Sequence, residues 1–273
     1  CCPQEALRDL ETAYQRFFKG ISGHPTFKSK KNGVGSFTFS GNIQVDSDRI
    51  KIPKIGEIRF KEKNYLPTDQ HILSATVSEK ASRWFVSVLV REEINVPENN
   101  GSIVGVDLGI NHLATVSDGS VFDNPKALRN NERKLARLQR SLSRKKKGSR
   151  NRSKARQKVA KIHNRISNIR KDVIHKITTQ LVKTKSVVVI EDLNVSGMMK
   201  NHKLAKSLAD ASFGEFRRQL EYKAKWYGSR IVVAGKWFPS TKKCSVCGNV
   251  KEMELSDRIY ACPACGNAMD RDL

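Results

Sequence analysis

The chain has 273 residues, 38% of them hydrophobic, which allows one large domain or two to three small ones and contains no apolar run long enough to cross a membrane. A formal charge of +24 and a pI near 10.0 favour a polyanion as partner and argue against a specialist in small acidic molecules. No signal peptide is legible, and the chain starts on Cys1-Cys2 and stops on Leu273 directly after acids, so it reads as a fragment cut at both ends.

Ala6–Phe18 carries Leu7, Leu10, Ala13, Tyr14, Phe17 and Phe18 at helical spacing, which predicts one helix packed on something else, with Gly20 just past its end. A basic loop follows, in which the overall charge favours Lys28, Lys30 and Lys31 as phosphate contacts over a merely solvated turn. From Ser36 to Glu92 the period changes to two. Strands are expected at Ser36–Ser40, Ile43–Val45, Ile50–Ile52, Glu57–Lys61, His71–Ser78 and Trp84–Arg91, with turn residues between them. Such short strands suggest a small antiparallel barrel. Trp84 and Phe85 are candidates to stack on bases, but strand neighbours face opposite sides, so at least one is expected in the core.

Pro97–Gly101 is a linker signal. Ile103–Ile110 then reads as a buried strand with one acid, Asp107, set into it, and Asn111–Val116 as the returning arm of a hairpin. A third short strand is expected near Ser120–Phe122. Burying a carboxylate on a central strand is costly unless it is paired or binds a metal. Lys126–Lys183 is helical and intensely basic. Leu128, Leu135, Leu138 and Leu142, then Val159, Ile162, Ile166, Ile169 and Val173, predict two antiparallel helices. Their tip carries Arg144, Lys145, Lys146, Lys147, Arg150 and Arg152, like charges that repel unless an anion joins them; a nucleic-acid contact is favoured over a solvated hairpin. Ser186–Leu193 is a second buried strand with Glu191 and Asp192 at its C-terminal end, where open α/β sheets place ligands. Val195–His202 reads as a loop. Leu204–Tyr227 reads as one helix burying Phe213, Phe216, Leu220, Ala224, Trp226 and Tyr227, and Arg230–Ala234 as a further strand.

Two constellations carry chemistry. Cys244-x-x-Cys247 and Cys262-x-x-Cys265 are separated by fourteen residues, and Gly248 and Gly266 permit the tight turns of zinc knuckles. Four thiolates with no open position predict one structural Zn²⁺ in a reducing compartment rather than a disulfide framework; an iron–sulfur cluster or redox-active thiols are the alternatives. Cys1 and Cys2 read as incidental. The second constellation is Asp107, Glu191 and a C-terminal acid, Asp270 or Asp272, with Asp192 as the alternative to Glu191. Three converging carboxylates suit two Mg²⁺ ions about 3.5–4 Å apart at a phosphodiester.

The segments Gly105-Val106-Asp107-Leu108-Gly109, Val189-Ile190-Glu191-Asp192-Leu193, the two Cys-x-x-Cys pairs and Asp270-Arg271-Asp272-Leu273 stand in an order that resembles the TnpB/OrfB proteins. Ala6-Leu7-Arg8-Asp9-Leu10, Phe27-Lys28-Ser29-Lys30 and Pro239-Ser240-Thr241 extend the resemblance over essentially the whole chain. These are transposon-encoded proteins long called transposases and similar to the nucleases of type V CRISPR systems. The resemblance implies an α/β chain made of an N-terminal helix (1–26), a wedge-like β-barrel (27–98) and a RuvC-type, RNase H-like core (101–238) holding the basic hairpin (126–183). A zinc ribbon (239–268) and the start of the last RuvC motif (269–273) complete it. It implies an RNA-guided, Mg²⁺-dependent DNA endonuclease with catalytic acids Asp107, Glu191 and Asp272, the last favoured because the family's acid directly precedes a Leu-Asn-Ala-Ala-like stretch. Zinc would be held by Cys244, Cys247, Cys262 and Cys265; the partners would be a DNA target and a guide RNA from the transposon end, in the cytoplasm near the nucleoid and away from membranes. The family's region before Ala6 and the closing helix after Asp272 are missing from this sequence. A transposase that itself joins DNA strands, and a non-catalytic zinc protein that binds nucleic acid, are the competing expectations.

Overall fold

The hydrophobic period is two from Ser36 to Glu92 and mostly 3.6 after Lys126, and the folded chain divides accordingly. In a computed structural model, residues 2–27, 35–53, 55–235, 242–253 and 259–270 are described, and the chain falls into two units, Cys1–Glu93 and Ile94–Leu273.

The first unit begins with α1 (Cys2–Phe18). Its apolar stripe is covered only in part: Tyr14 and Phe17 lie edge-on to His24, while Leu7, Leu10 and Phe18 are exposed. Six strands follow: β1 (Ser36–Ser40), β2 (Gln44–Val45), β3 (Arg49–Ile52), β4 (Gly56–Arg59), β5 (Ile72–Lys80) and β6 (Arg83–Val90). They build two antiparallel sheets, ordered β1-β5-β6 and β2-β3-β4. Alternation sends Phe39, Val45, Ile50, Ile52, Ala75 and Val77 into one core shared by both sheets. Among the described residues these are two separate hydrogen-bonded sheets. The expectation that Trp84 or Phe85 is a core residue fails: they are 57% and 46% exposed, opposite Glu79 and Ser78 at the turn end of the β5–β6 hairpin, beyond the reach of the shared core.

The second unit is built on one mixed sheet, ordered β11-β10-β7-β8-β9. β7 (Ser102–Asp107), β8 (His112–Val116) and β9 (Val121–Asp123) form an antiparallel meander. The chain then leaves the sheet as a hairpin of two helices, α2 (Ala127–Ser143) and α3 (Arg150–Thr184), and returns as β10 (Lys185–Glu191), parallel to β7. α4 (Val195–Met198), α5 (Ala205–Ala211) and α6 (Phe213–Tyr227) lead to β11 (Arg230–Ala234), parallel to β10. A small antiparallel pair, β12 (Ile259–Ala261) and β13 (Ala268–Asp270), follows.

α3 is 35 residues, about 50 Å at 1.5 Å per residue, and serves two cores. Its first half packs Ile162 and Ile166 against Leu135 of α2; its second half packs Ile174, Ile177 and Leu181 against the sheet and α6. Between α3 and α6 the buried Lys223 ammonium donates to the His175 carbonyl at 2.9 Å and to Thr178 and Thr179 Oγ1 at 2.8 Å each. Burial lowers its pKa from the ordinary lysine value.

Within the second unit several expectations need correction. β7 stops at Asp107 instead of running on to Ile110, because the chain turns at once: a side chain on Gly109 would sit 2.9 Å from the His112 carbonyl oxygen. The helix expected over Leu204–Tyr227 is broken at Ser212, whose left-handed backbone (φ 59°) ends α5 and starts α6. Trp226 is exposed, stacked edge-on against Tyr222, because the buried row of α6 runs Phe213, Phe216, Leu220, Ala224. In addition, α4 puts one helical turn into the expected loop.

Candidate active site and candidate metal centre

β7 and β10 run side by side, with Val189 opposite Gly105 and Ile190 opposite Val106. One step further along each strand stand Asp107 and Glu191, the last residues of β7 and β10. Side chains alternate along a strand, so Asp107 shares a face with Gly105, and Glu191 shares the same sheet face with Val189. The two carboxylates therefore leave one face at neighbouring strand ends, with backbones about 4.8 Å apart. The opposite face carries Val104, Val106, Val188 and Ile190, all buried in the core. Both acids are half-buried.

Asp192, the alternative to Glu191, accepts a hydrogen bond from Arg217 Nη1 at 2.9 Å, while Arg217 Nε donates to Glu221 at 2.9 Å. Asp192 thus turns toward α6 and is held there by an opposite charge. Of the two C-terminal candidates, Asp270 ends β13 opposite Ile259, and Asp272 lies outside the described residues. The structure therefore brings together two of the three expected acids.

At the hairpin tip Arg144, Lys145, Lys146, Lys147 and Arg150 are exposed. Arg152 is half-buried and donates from Nη1 to the carbonyls of Leu142 and Lys145, both at 3.1 Å, which satisfies orphan acceptors at the end of α2. Lys28, Lys30 and Lys31 lie outside the described residues.

Sequence reasoning missed two residues that hold this region in shape. Asp210, buried on α5, accepts from the Leu128 amide with both oxygens at 2.9 Å and from the Arg129 amide at 3.2 Å, and pairs with Arg170 Nε at 2.8 Å. It caps α2 from a distant part of the chain, since Lys126 at the N-cap has left-handed backbone and no capping side chain. Asn124 sits between β9 and α2, where Asn124-Pro125 was the only local signal and marked no more than a turn.

The four cysteine sulfurs all lie within 4.8 Å of one another, with Cys244 and Cys265 3.7 Å and Cys247 and Cys262 3.5 Å apart. The two halves have one geometry. The Gly248 amide donates to the Cys244 carbonyl at 3.0 Å and the Gly266 amide to that of Cys262 at 3.1 Å, both glycines at positive φ. Backbone amides of Cys247 and Val246 draw the Cys244 thiol down to about 6. Against the Asn267 amide, which lowers it, hydrogen bonding to the neighbouring thiols and burial push Cys265 up to about 12. A set of four soft donors, half of them primed as thiolates by amides, fits one tetrahedral metal ion such as zinc. Tyr260, Met253 and Met269 close over Cys244 and Cys262, a core too small to hold alone. Among the described residues no helix is long and apolar enough to cross a membrane.

Comparison with known proteins places this geometry in context. The OrfB_IS605 family model, described as "Probable transposase", matches residues 85–202, and the "Cas12f1-like, TNB domain" model matches residues 213–273. A protein of Streptomyces pristinaespiralis named "Putative RNA-guided DNA endonuclease" is 41% identical over 99% of this chain and 68% of its own length. The Escherichia coli K12 protein named "Putative RNA-guided DNA endonuclease InsQ" is 36% identical over 99% of this chain and 71% of its own. Among solved structures, a chain of the Cas12f1–sgRNA–target DNA complex aligns with 94% of this chain and 72% of its own, at 18% identity and a TM-score of 0.45.

Proposed function

The chain belongs to the OrfB family of transposon-encoded proteins, whose members include the RNA-guided DNA endonucleases just described, and from that membership we propose that it cuts DNA at the rim where Asp107 and Glu191 meet. The observation that carries the reading is the placement of those two acids on one sheet face at the ends of adjacent parallel strands. A meander bearing the first acid, followed by a parallel crossover bearing the second, supports a RuvC-like core.

Asp107 and Glu191 would hold magnesium, with Asp272 as the third carboxylate; the ion suits few protein oxygens plus those of a phosphodiester. Bound there, magnesium supplies Lewis acidity toward the scissile phosphate. Arg217 contributes by occupying Asp192, which keeps a fourth carboxylate out of the site. The tip of the α2–α3 hairpin supplies cations for a guide RNA from the transposon end and for the target strand, recognised by phosphate and shape. The four cysteines would hold a structural zinc as a ribbon, and the two small sheets of the first unit would serve as a wedge-like barrel.

A plasmid-cleavage assay in Mg²⁺, with and without co-purified RNA, tests the reading. The expected result is cutting that requires both RNA and Asp107, and disappears in Asp107→Ala. Cutting that survives that substitution discards the site, joined strands would point to a transposase acting by itself, and salt-sensitive binding without cutting would leave a nucleic-acid-binding zinc protein.

A further inference from the structure

We propose that Asn124 is a positioning residue for Asp107, fixing the turn by which the chain leaves that acid; the inference rests on reading Asp107 as a metal-binding carboxylate. β7 ends on Asp107 and β8 begins at His112, so the strand reverses within four residues. Strand ends fray unless something beyond the last ladder bond holds them. On the β8 side the turn is already tight, since the Gly109 backbone has no room for a side chain next to the His112 carbonyl. On the other side stands Asn124, whose Nδ2 donates to the Ile110 carbonyl at 2.8 Å.

The orientation of that amide is dictated by its other end. Asn124 Oδ1 accepts from the Lys126 amide at 3.0 Å, which leaves the NH₂ group facing Ile110. The side chain is 9% exposed, so neither bond is readily replaced by water. Lys126 stands at the head of α2, and that head is itself immobilised by Asp210 and, through it, by Arg170 of α3. Asn124 therefore ties the turn after Asp107 to the head of α2, which Asp210 holds to α3. Carboxylates that share a metal must be held to within about 0.5 Å, and a strand terminus tied on one side only does not meet that demand.

Binding of Mn²⁺ to the full chain, followed by electron paramagnetic resonance, and amide exchange across residues 107–113 test the assignment. Asn124→Ala removes both bonds. Asn124→Asp keeps the acceptor for Lys126 but cannot donate to Ile110. Asn130→Ala is the control, because its amide donates at the same joint to the Pro125 carbonyl at 3.0 Å without touching the turn. Both Asn124 variants are expected to weaken Mn²⁺ binding about tenfold and to speed exchange over 108–112 but not over 185–191. Asn130→Ala is expected to match the wild type in both. Wild-type behaviour of Asn124→Asp in exchange, or equal weakening of Mn²⁺ binding by Asn130→Ala, overturns the proposal. If Asp107→Ala leaves Mn²⁺ binding unchanged, the reading of Asp107 falls, and the exchange comparison still decides whether Asn124 holds the turn.

Discussion

Asp210 gathers three donors: the Leu128 and Arg129 amides at the start of α2 and the guanidinium of Arg170. Its carboxylate is 7% exposed, so removing it strands a partly buried cation and uncaps a helix in one step. Asp210→Ala is expected to destabilise the second unit by about 3 kcal/mol, the range for breaking a buried pair by deleting one partner. Asp210→Asn keeps an acceptor for the amides and should cost about half as much, since a neutral hydrogen bond replaces a charge-assisted one. Urea midpoints at constant m-value measure both, and a loss below about 0.5 kcal/mol for the alanine variant, as at an exposed pair, would remove Asp210 from this role. Neither Asp210 nor Asn124 was legible in the sequence, for the same reason. Both act chiefly on backbone groups, an amide 82 residues away for Asp210 and a carbonyl 14 residues away for Asn124, and no residue type marks a backbone amide or carbonyl. Asp107 and Glu191 stand out in the sequence because an acid in an apolar run breaks a pattern; the Arg217 contact, which draws Asp192 toward α6, carries no such signal.

Elements were read well where period and chemistry agreed. β1 through β6 stand where alternation put them; all but β4 have a drier face on the shared core and a wet face outside, while β4 is exposed along its length and is held by its pairing with β3. The break at Ser212 was invisible, since Leu208, Phe213, Phe216 and Leu220 continue an apolar stripe across it and serine carries no strong left-handed signal. The β5–β6 hairpin shows the same thing in a turn. Ala81 and Ser82 both adopt positive φ, at 53° and 63°, between the paired residues Lys80 and Arg83. A two-residue turn of this hand favours Asn-Gly, and each other residue forced into it costs about 1–2 kcal/mol. Replacing Ala81-Ser82 by Asn-Gly is therefore expected to raise the thermal midpoint of the first unit, worth about 1–2 kcal/mol. An unchanged or lower midpoint would mean that the turn is not strained in this way.

At the scale of the molecule, the chain couples an acid rim to a cationic arm through α3, whose two halves pack in different cores. The net charge of +24 says that an anionic partner is needed but not where it sits; the fold locates a dense cluster at the α2–α3 tip, where five cations face solvent with a glycine among them. If that tip binds nucleic acid by releasing counterions, and about six to ten phosphates are neutralised in all, affinity should fall by about 10³–10⁵ between 50 and 200 mM salt. Replacing Arg144, Lys145, Lys146, Lys147 and Arg150 by serine should flatten the log–log salt slope by about one for each cation that touches a phosphate, with little change in preference among sequences. Arg152 is left in place, since its guanidinium closes the carbonyls of Leu142 and Lys145 and its loss would fray α2 as well as remove a charge. Binding titrations at four or five salt concentrations measure the slope for both chains. A variant with the parent slope would mean that the tip points into solvent and that the phosphates are met by other cations. The paired acids would then have to receive their strand along a path that bypasses the hairpin.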